Sequence, residues 1–165
     1  MKRIIVLLLL LLPIGVFSQE IKIAYVNTGE VFNMMPEYEE AELKYASTSE
    51  MYQKEYKDLQ DQLNIKMEEF QKIEATLNEN IKVRKQQELQ EMYDKIQNYV
   101  QLAQQELPQE REKLLAPVQE KLINAIKEVG DEQGYTGIFD VQTMLFVGKS
   151  AIDATPLVKA KLGLK

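Results

Sequence analysis

The fold depends on one long stretch without glycine, residues 30–129, which opens EVFNMMPEYEEAELKYASTSEMYQKEY and closes REKLLAPVQEKLINAIKEV. Glycine occurs on either side of this stretch, at Gly29 and Gly130, and the stretch contains only three prolines, Pro36, Pro108 and Pro117. Most of its other residues are Glu, Gln, Lys, Leu, Ala and Met, which are strong helix formers. The stretch is therefore predicted to form one or two very long helices.

Hydrophobic spacing predicts that these helices pack against each other. Apolar residues recur every seven positions along two lines in the first half, with an interruption at Lys66: Tyr38, Tyr45, Tyr52, Leu59 and Tyr56, Leu63, Phe70, Leu77. Similar spacing continues in the second half: Leu89, Met92, Ile96, Tyr99, Ala103, then Leu115, Val118, Leu122, Ala125, Val129. Alternating steps of four and three residues form a seam that packs against another helix. The simplest partner for each half is the other half.

Three short apolar runs with strand character flank the long stretch: IKIAYV at 21–26, IFDV at 138–141 and LFV at 145–147. The last two are predicted to form a hairpin through Gln142, Thr143 and Met144. Because a short strand is not stable alone, the first run must pair with runs from the far end of the chain. The glycine-free stretch must then travel out and return.

The point of return is predicted near TLNENI, residues 76–81, which lies at the middle of the stretch. Asn78 and Asn80 suit this position because asparagine tolerates left-handed turn geometry. On the returning helix, Pro108 and Pro117 each remove a backbone hydrogen bond and are expected to bend the rod. The polar run QQELPQEREK at 104–113 predicts a loosely paired section there.

The predicted fold class is α+β, with a small β-strand head built from both chain ends and a long protruding antiparallel α-helical hairpin. The head comprises residues 19–35 and 134–165, and the arm comprises residues 36–133 with its tip near 78–84. One N-terminal strand and two C-terminal strands make the sheet of the head.

A short helix completes the head, with Thr155 as N-cap, Pro156 at its first position, residues 157–162 as one or two turns and Gly163 as its stop. So small a head has little interior, and oligomerisation is a common remedy. Copies are therefore expected to associate through the apolar residues of the head: Ile23, Tyr25, Val26, Ile138, Phe139, Val141, Leu145, Phe146 and Val147.

Composition excludes several functional classes. The chain contains no His and no Cys, so it has no Cys/His zinc site, no Ser–His or Cys–His pair and no disulfide framework. Its net charge of −6 makes it a poor electrostatic match for nucleic acid. The string VGKS at 147–150 lacks the first glycine of a phosphate-binding loop, since Thr143 occupies that position, and is interpreted as an exposed turn. No nucleotide, metal or other cofactor is expected.

The first eighteen residues are interpreted as a cleaved signal peptide. Lys2 and Arg3 precede the apolar run at 4–12, and Val16 and Ser18 suit cleavage before Gln19. The run is much shorter than the ~20 residues of a membrane-spanning helix, which disfavours the alternative of a signal anchor. Lipid attachment at a cysteine is excluded because the chain has none. The rest of the chain is expected to be exported to the periplasm.

The two ends of the exported chain resemble the Skp/OmpH family of periplasmic chaperones. The resemblance is carried by IAYVNTGEVFNMMPEYEEAE at 23–42 and LLAPVQEKLINAIKEVGDEQGYTGIFDV at 114–141. The closing AIDATPLVKAKLGL at 151–164 is similar to the form found in Bacteroidetes-type envelopes. The middle of the arm shares only the periodicity that any coiled coil has.

The resemblance implies a jellyfish-shaped homotrimer whose β-structured body carries three helical arms around a cavity. It also implies that unfolded outer-membrane β-barrel proteins are held in that cavity without nucleotide. This chain departs from the enterobacterial members, which are strongly basic, because it is acidic. Electrostatic capture of acidic clients and lipopolysaccharide binding are therefore not carried over to it.

Two groups of residues near the tip are candidate contact surfaces. The first is an apolar stripe that could contact clients or belong to the seam inside the hairpin: Met67, Phe70, Ile73, Leu77, Ile81 and Val83. The second is a basic cluster, which is either a solvated helix end or a weak contact for anionic lipid or an acidic client: Lys82, Arg84 and Lys85. Paired carboxylates such as Glu68 and Glu69 are interpreted as solvated charge.

Together with the resemblance, the sequence predicts an ATP-independent holdase that encloses unfolded clients through many weak apolar contacts. A structural coiled-coil spacer or scaffold of the cell envelope is the alternative, because it shares the heptads and the export signal. An enzyme is remote, since His, Cys and a glycine-rich loop are all missing.

Overall fold

The computed structural model describes residues 21–165, in which two long helices rise from a small three-stranded sheet. The elements in chain order are β1 (Ile23–Val26), α1 (Thr28–Met34), α2 (Pro36–Ile73), a 3₁₀ turn (Glu74–Thr76), α3 (Glu79–Gln133), β2 (Gly137–Asp140), a second 3₁₀ turn (Val141–Thr143), β3 (Ile152–Asp153) and α4 (Thr155–Lys161). The predicted α+β class with its long helical hairpin is confirmed. The predicted signal peptide at 1–18 lies outside the described residues.

The sheet joins the two ends of the described chain. Its order is β2-β1-β3, and β1 is parallel to both neighbours. Tyr25 of β1 lies opposite Phe139 on one side and Asp153 on the other. Parallel strands need a crossover connection, and the crossover between β1 and β2 contains the entire arm.

Side-chain hydrogen bonds lock the strand ends to the helices that follow them. The Thr28 hydroxyl donates to Asp140 at the end of β2, and the backbone N–H of Asn27 donates to the Thr155 hydroxyl over 3.0 Å. The Asn27 side chain in turn caps α1 by accepting from the Glu30 N–H at 3.0 Å. The start of α1 is therefore held by Asp140 at the end of β2 and by Thr155 at the start of α4.

The core lies where the sheet meets the root of the arm. Val26 of β1, Val31 of α1 and Met35 between α1 and α2 belong to this core, and all three are almost completely buried. The remaining buried members come from the arm root and α4: Ala41, Val118, Leu122, Ala125, Val129 and Val158. Head and arm root thus share one hydrophobic cluster.

The predicted hairpin between 138–141 and 145–147 is wrong. The Asp140 carboxylate accepts from the Gln142 N–H at 3.0 Å, and the Thr143 hydroxyl donates to the Asp140 carbonyl at 2.9 Å. These bonds close a 3₁₀ turn, so the chain leaves β2 without reversing onto it. The third strand is Ile152–Asp153 instead, and it pairs with β1 because the Ala154 N–H donates to the Tyr25 carbonyl at 2.8 Å.

The predicted N-cap of the last helix is also wrong. Ala154 is the N-cap, and Thr155 is the first helical residue. The Thr155 hydroxyl accepts a hydrogen bond from the Asn27 backbone N–H instead of capping the helix. The Asp153 carboxylate accepts a hydrogen bond from the Thr155 N–H at 2.9 Å. Gly163 ends this segment as expected, with a positive φ of 73° that favours glycine.

Helices α2 and α3 pack along the predicted seam. Leu59 and Ile96 are buried in the middle of the arm, and Val118, Leu122 and Val129 are buried toward its root. Ion pairs cross the seam near the root, where Arg111 contacts Glu42 at 2.7 Å and Lys121 contacts Glu37. The hydrogen bond from Lys121 lowers the pKa of Glu37. Helix α3 continues through both Pro108 and Pro117.

None of the helices within residues 21–165 has a stretch that is both long and apolar enough to cross a bilayer.

Met35 and its neighbour Met34 test whether the shared core holds head and arm root together. Met35 is 1% exposed, whereas Met34 is 38% exposed. We expect Met35→Ala to lower the free energy of unfolding by about 2–5 kcal/mol, because it leaves a cavity in the core. Met34→Ala is expected to change it by about 0.5 kcal/mol or less. Urea denaturation followed by circular dichroism measures both, and equal effects would contradict this description of the core.

Candidate functional site

The tip of the arm is a short turn between the two long helices. Helix α2 ends at Ile73, a 3₁₀ turn spans Glu74–Thr76, and α3 begins after Asn78. The Asn78 side chain caps α3 by accepting from the Ile81 N–H at 3.0 Å. Its φ of −73° is not left-handed, so the expected turn geometry is wrong. Asn78 acts instead through its side-chain oxygen, and Asn80 lies within the helix.

The predicted apolar stripe divides into two sets. Phe70, Leu77 and Ile81 are half-buried, and Phe70 lines a narrow gap between the helices together with Ile73 and Leu89. Met67, Ile73 and Val83 are each 42% exposed. The first set belongs largely to the hairpin seam, whereas the second offers apolar surface to solvent.

The predicted basic cluster is partly neutralised by its own neighbours. The Lys82 ammonium lies 2.7 Å from the Glu74 carboxylate, and that hydrogen bond raises the pKa of Lys82. The Lys85 ammonium lies 2.8 Å from Glu88, and that bond lowers the pKa of Glu88. In the described part of the chain, Arg84 alone among the three makes no ion pair. The local positive charge available to a partner is therefore small.

Three exposed apolar residues on α2 were not predicted from the sequence. Leu43 is 65% exposed, Met51 70% and Ile65 57%. At about 100° per residue, these three lie within about 80° of one another and roughly opposite the seam. They fall outside the heptad lines, which is a signal that could have revealed them. Each is an isolated apolar side chain on the outer face of the arm.

A groove between α2 and α3 was not predicted from the sequence either. It has a volume of about 560 Å³ beside Pro108, and Tyr45, Tyr52 and Tyr56 of α2 line one wall. The other wall comes from α3 and includes Tyr99, Val100 and Ala103. The tyrosines occupy seam positions, but Ala103 opposite them is too small to fill the space. The groove extends from Tyr99 to Pro108 on α3 and so overlaps only the start of the section at 104–113 that was predicted to be loosely paired.

The hydroxyls of two groove tyrosines donate hydrogen bonds. The Tyr52 hydroxyl donates to Glu106, and the Tyr99 hydroxyl donates to the Tyr52 carbonyl at 3.4 Å. The two ring centroids lie 5.8 Å apart. The bond to Glu106 raises the pKa of Tyr52, while desolvation and then the charge of Glu55 raise that of Tyr99. The rings themselves form an apolar lining.

The head leaves apolar surface uncovered in the single chain. Ala24 and Val26 face the core, while Ile23 and Phe139 on the sheet are 36% and 49% exposed. Beyond the second 3₁₀ turn, Leu145 is fully exposed and Phe146 is 81% exposed. Of the other predicted interface residues, Tyr25, Ile138, Val141 and Val147 are half-buried.

A family model described as "Outer membrane protein (OmpH-like)" matches residues 22–162, which is nearly all of the described chain. The chain belongs to the OmpH-like family. The matched region includes both halves of the head and the whole arm, so the family relationship covers every surface described above.

The OmpH-like fold is also found in a solved structure. A crystal structure from Caulobacter crescentus CB15, assigned as an OmpH-like outer membrane chaperone, matches with a TM-score of 0.76. The match covers 87% of this chain and 84% of that chain at 16% sequence identity. No curated protein matches this chain. At such low identity the structural likeness shows that the fold is shared.

The OmpH-like arm and head present surfaces for contact. Within residues 21–165 no group of three or more acidic residues is arranged to hold a metal ion. The segment at 148–151 forms a turn in which the Ala151 N–H donates to the Gly148 carbonyl at 3.1 Å. Family membership and fold together support a chaperone of the Skp/OmpH kind.

The two asparagines of the tip allow a matched test of its structure. Removing the Asn78 cap by Asn78→Ala is expected to destabilise the start of α3 by about 0.5–2 kcal/mol. Asn80→Ala should leave the tip at least as stable, because alanine is the better helix former. Amide hydrogen exchange of residues 79–85 measures both variants. Equal exchange rates in the two variants would show that Asn78 does not cap the helix.

Proposed function

We propose that this protein is an ATP-independent periplasmic holdase that binds unfolded outer-membrane β-barrel proteins between its arms and prevents their aggregation. The proposal rests on one observation above all: a long arm with apolar side chains exposed along it is anchored to a head whose own apolar surface is uncovered. Membership of the OmpH-like family supports the chaperone role, the periplasmic location and the class of client.

The arm is so long that the head can cover only its root. Helix α2 has 38 residues and α3 has 55. At a rise of about 1.5 Å per residue, these lengths are about 57 Å and 82 Å. Most side chains beyond the root are exposed. An element of this shape offers a large lateral surface without needing to unfold.

The exposed apolar side chains are scattered rather than gathered into one patch. We assign client contact to the predicted stripe, of which Met67, Ile73 and Val83 are the most exposed members, and to the outer-face residues Leu43, Met51 and Ile65. Each contact alone is weak, and their sum over several arms gives high avidity with rapid local exchange. Methionine suits such contacts because it is flexible and polarizable. A client that folds into the membrane buries its own apolar surface and leaves without an energy source.

The head is proposed to join three copies. Leu145, Phe146 and Phe139 present large apolar surfaces on one small domain. A domain of this size has too little interior to be stable alone, and association would cover these side chains. We assign the interface to the predicted set apart from Val26, which faces the core, with Phe139, Leu145 and Phe146 contributing most because they are the most exposed residues of that set.

Contact with anionic membranes is expected to be weak. Lys82 and Lys85 are paired with Glu74 and Glu88, which leaves Arg84 as the main free charge of the described tip.

The rival function, an envelope spacer or scaffold, requires a continuously sealed rod. The groove beside Pro108 and the exposed Lys66 interrupt the seam instead. Analytical ultracentrifugation separates the two functions, since a scaffold subunit would assemble without limit and a holdase would form a closed oligomer.

The purified protein is expected to suppress the aggregation of a urea-denatured outer-membrane β-barrel after dilution, without nucleotide. Light scattering measures the effect over a range of protein concentrations. Unchanged scattering at a molar excess of the oligomer would refute the holdase proposal.

Replacing Met67, Ile73 and Val83 together by Ser should raise the concentration needed for half-suppression by about two- to threefold, because apolar contact area is lost. The control replaces three exposed polar residues of the same region, Gln62, Gln71 and Gln86, by Ser. An equal effect in the control would remove the tip stripe from the client surface.

The exposed loop of the head gives a separate test of assembly. Leu145→Asp combined with Phe146→Asp is expected to convert the oligomer to monomer, because two charges would have to be buried in an apolar interface. Leu43→Asp combined with Met51→Asp carries the same charge change on the arm and should leave the oligomer intact. Light scattering coupled to size-exclusion chromatography measures both masses. A monomeric wild-type protein would contradict the proposed assembly.

A further inference from the structure

A recess between α1 and α3 opens on the side of the arm root, and we call it the root recess. It has a volume of about 350 Å³, and none of the side chains that line it is charged. Its lining includes one aromatic, three aliphatic and two amide side chains: Phe32, Leu122, Ile123, Ile126, Asn33 and Gln119. Leu122 is buried, whereas Ile123 is 50% exposed. The recess therefore joins the core of the head to uncovered apolar surface.

A projecting segment of matching chemistry follows β2. Residues 141–148, VQTMLFVG, carry no charge. Leu145 is fully exposed and Phe146 is 81% exposed, the two highest values among the large apolar side chains of residues 21–165. Because both side chains are so exposed, they do not fill the recess of their own chain. One chain thus carries an uncharged projection and an uncharged recess that do not meet.

The base of the projecting segment is fastened to the rim of the root recess. Thr28 and Gly29 both line the recess. The Thr28 hydroxyl donates to the Asp140 carboxylate, and a Cβ at Gly29 would collide with the side-chain amide of Gln142. Projection and recess therefore have fixed, neighbouring positions, and both lie in the part of the surface through which the heads are proposed to associate.

The root recess suits an aromatic side chain in volume and in chemistry. A cavity of about 150 Å³ lined by apolar side chains can hold benzene, so a recess of about 350 Å³ has room for the ring of Phe146. Phe32 in the lining can contact that ring in the offset or edge-to-face geometry that aromatic pairs prefer. Neither surface carries a charge that would lose its hydration on contact.

We propose that Leu145 and Phe146 of one copy are seated in the root recess of the next copy, with the Phe146 ring against Phe32 and Ile123. The proposal rests on the proposed three-copy assembly and specifies its contact. In a closed ring of three, each copy supplies one projection and one recess, so no recess is left uncovered. Because Ile123 belongs to α3, the same contact would fix the direction in which each arm leaves the assembled heads.

Disulfide cross-linking tests the contact directly, because the chain contains no cysteine. Leu145→Cys is combined with Asn33→Cys, which retains Phe146 and the apolar lining. The control combines Leu145→Cys with Asn124→Cys, since Asn124 is also an exposed asparagine near the root but lines a different recess beside α4. A disulfide forms only between cysteines that approach closely. After mild oxidation, a non-reducing gel is expected to show the first pair linked in twos and threes and the control as single chains.

A matched pair of bulky substitutions tests the recess by its effect on assembly. Asn33→Trp places a ring over the root recess and should raise the protein concentration at half-assembly about tenfold. Asn124→Trp places the same ring outside it and should assemble as the wild type does. Phe146→Ala removes the seated ring from the other partner and should act in the same direction as Asn33→Trp. Sedimentation velocity over a dilution series measures assembly, and circular dichroism checks that each variant is folded.

Several outcomes would overturn the proposal. A single-chain product with both thiols consumed would mean that the projection enters its own recess. Linking of Leu145→Cys to Asn33→Cys only in pairs, or no more than to Asn124→Cys, would also contradict it. Normal assembly of Asn33→Trp together with weakened suppression of aggregation would assign the recess to clients instead of a second copy. A closed wild-type oligomer without the expected linking would reject this contact and leave the proposed assembly standing, whereas a monomeric wild type would reject both.

Discussion

β1 lies between two strands from the other end of the chain, and this pairing sets the shape of the whole molecule. A four-residue strand has no stability of its own, so β1 forms only if β2 and β3 reach it. Because both pairings are parallel, the connection from β1 to β2 must leave the sheet and return to the same end. The whole helical hairpin is that connection. Loop-closure entropy grows only slowly with length, so a crossover of this size is tolerated once the hairpin has formed its own contacts.

The arm and the head have complementary physical properties. The head shares its core with the arm root through Val26, Met35 and Val129, so the root packs firmly against the head. Farther out, the seam thins and apolar side chains are exposed singly among charged residues. Under the proposed holdase function, such a surface would offer many weak contacts to an unfolded chain. The groove at Tyr52 and Tyr99 leaves one section of the seam open.

Local patterns predicted the long elements well and the short ones poorly. The heptads located the seam because the same apolar spacing persists over many helical turns, and Leu59, Ile96 and Val118 are buried as that spacing requires. The hairpin at 138–147 failed because LFV has the composition of a strand, but the Asp140 side chain closes a 3₁₀ turn before it. The tyrosine groove was missed because heptad positions were interpreted as filled seam, and the spacing carries no information on the volume of the residue opposite. The acidic partners of Lys82 and Lys85 lie close in sequence, yet which side chains meet depends on how the tip turns.

The amino-acid sequence alone established that residues 30–129 are helical and return on themselves, because helix propensity and apolar periodicity are local properties that repeat many times. It also pointed to the OmpH-like family through the motifs of the two ends. Only the folded structure shows at which edge of β1 each C-terminal strand pairs. It also shows the gap beside Pro108 and the exposure of Leu43, Met51 and Ile65. These features depend on contacts between residues distant in sequence and on the volumes that pack there, and no local pattern encodes either.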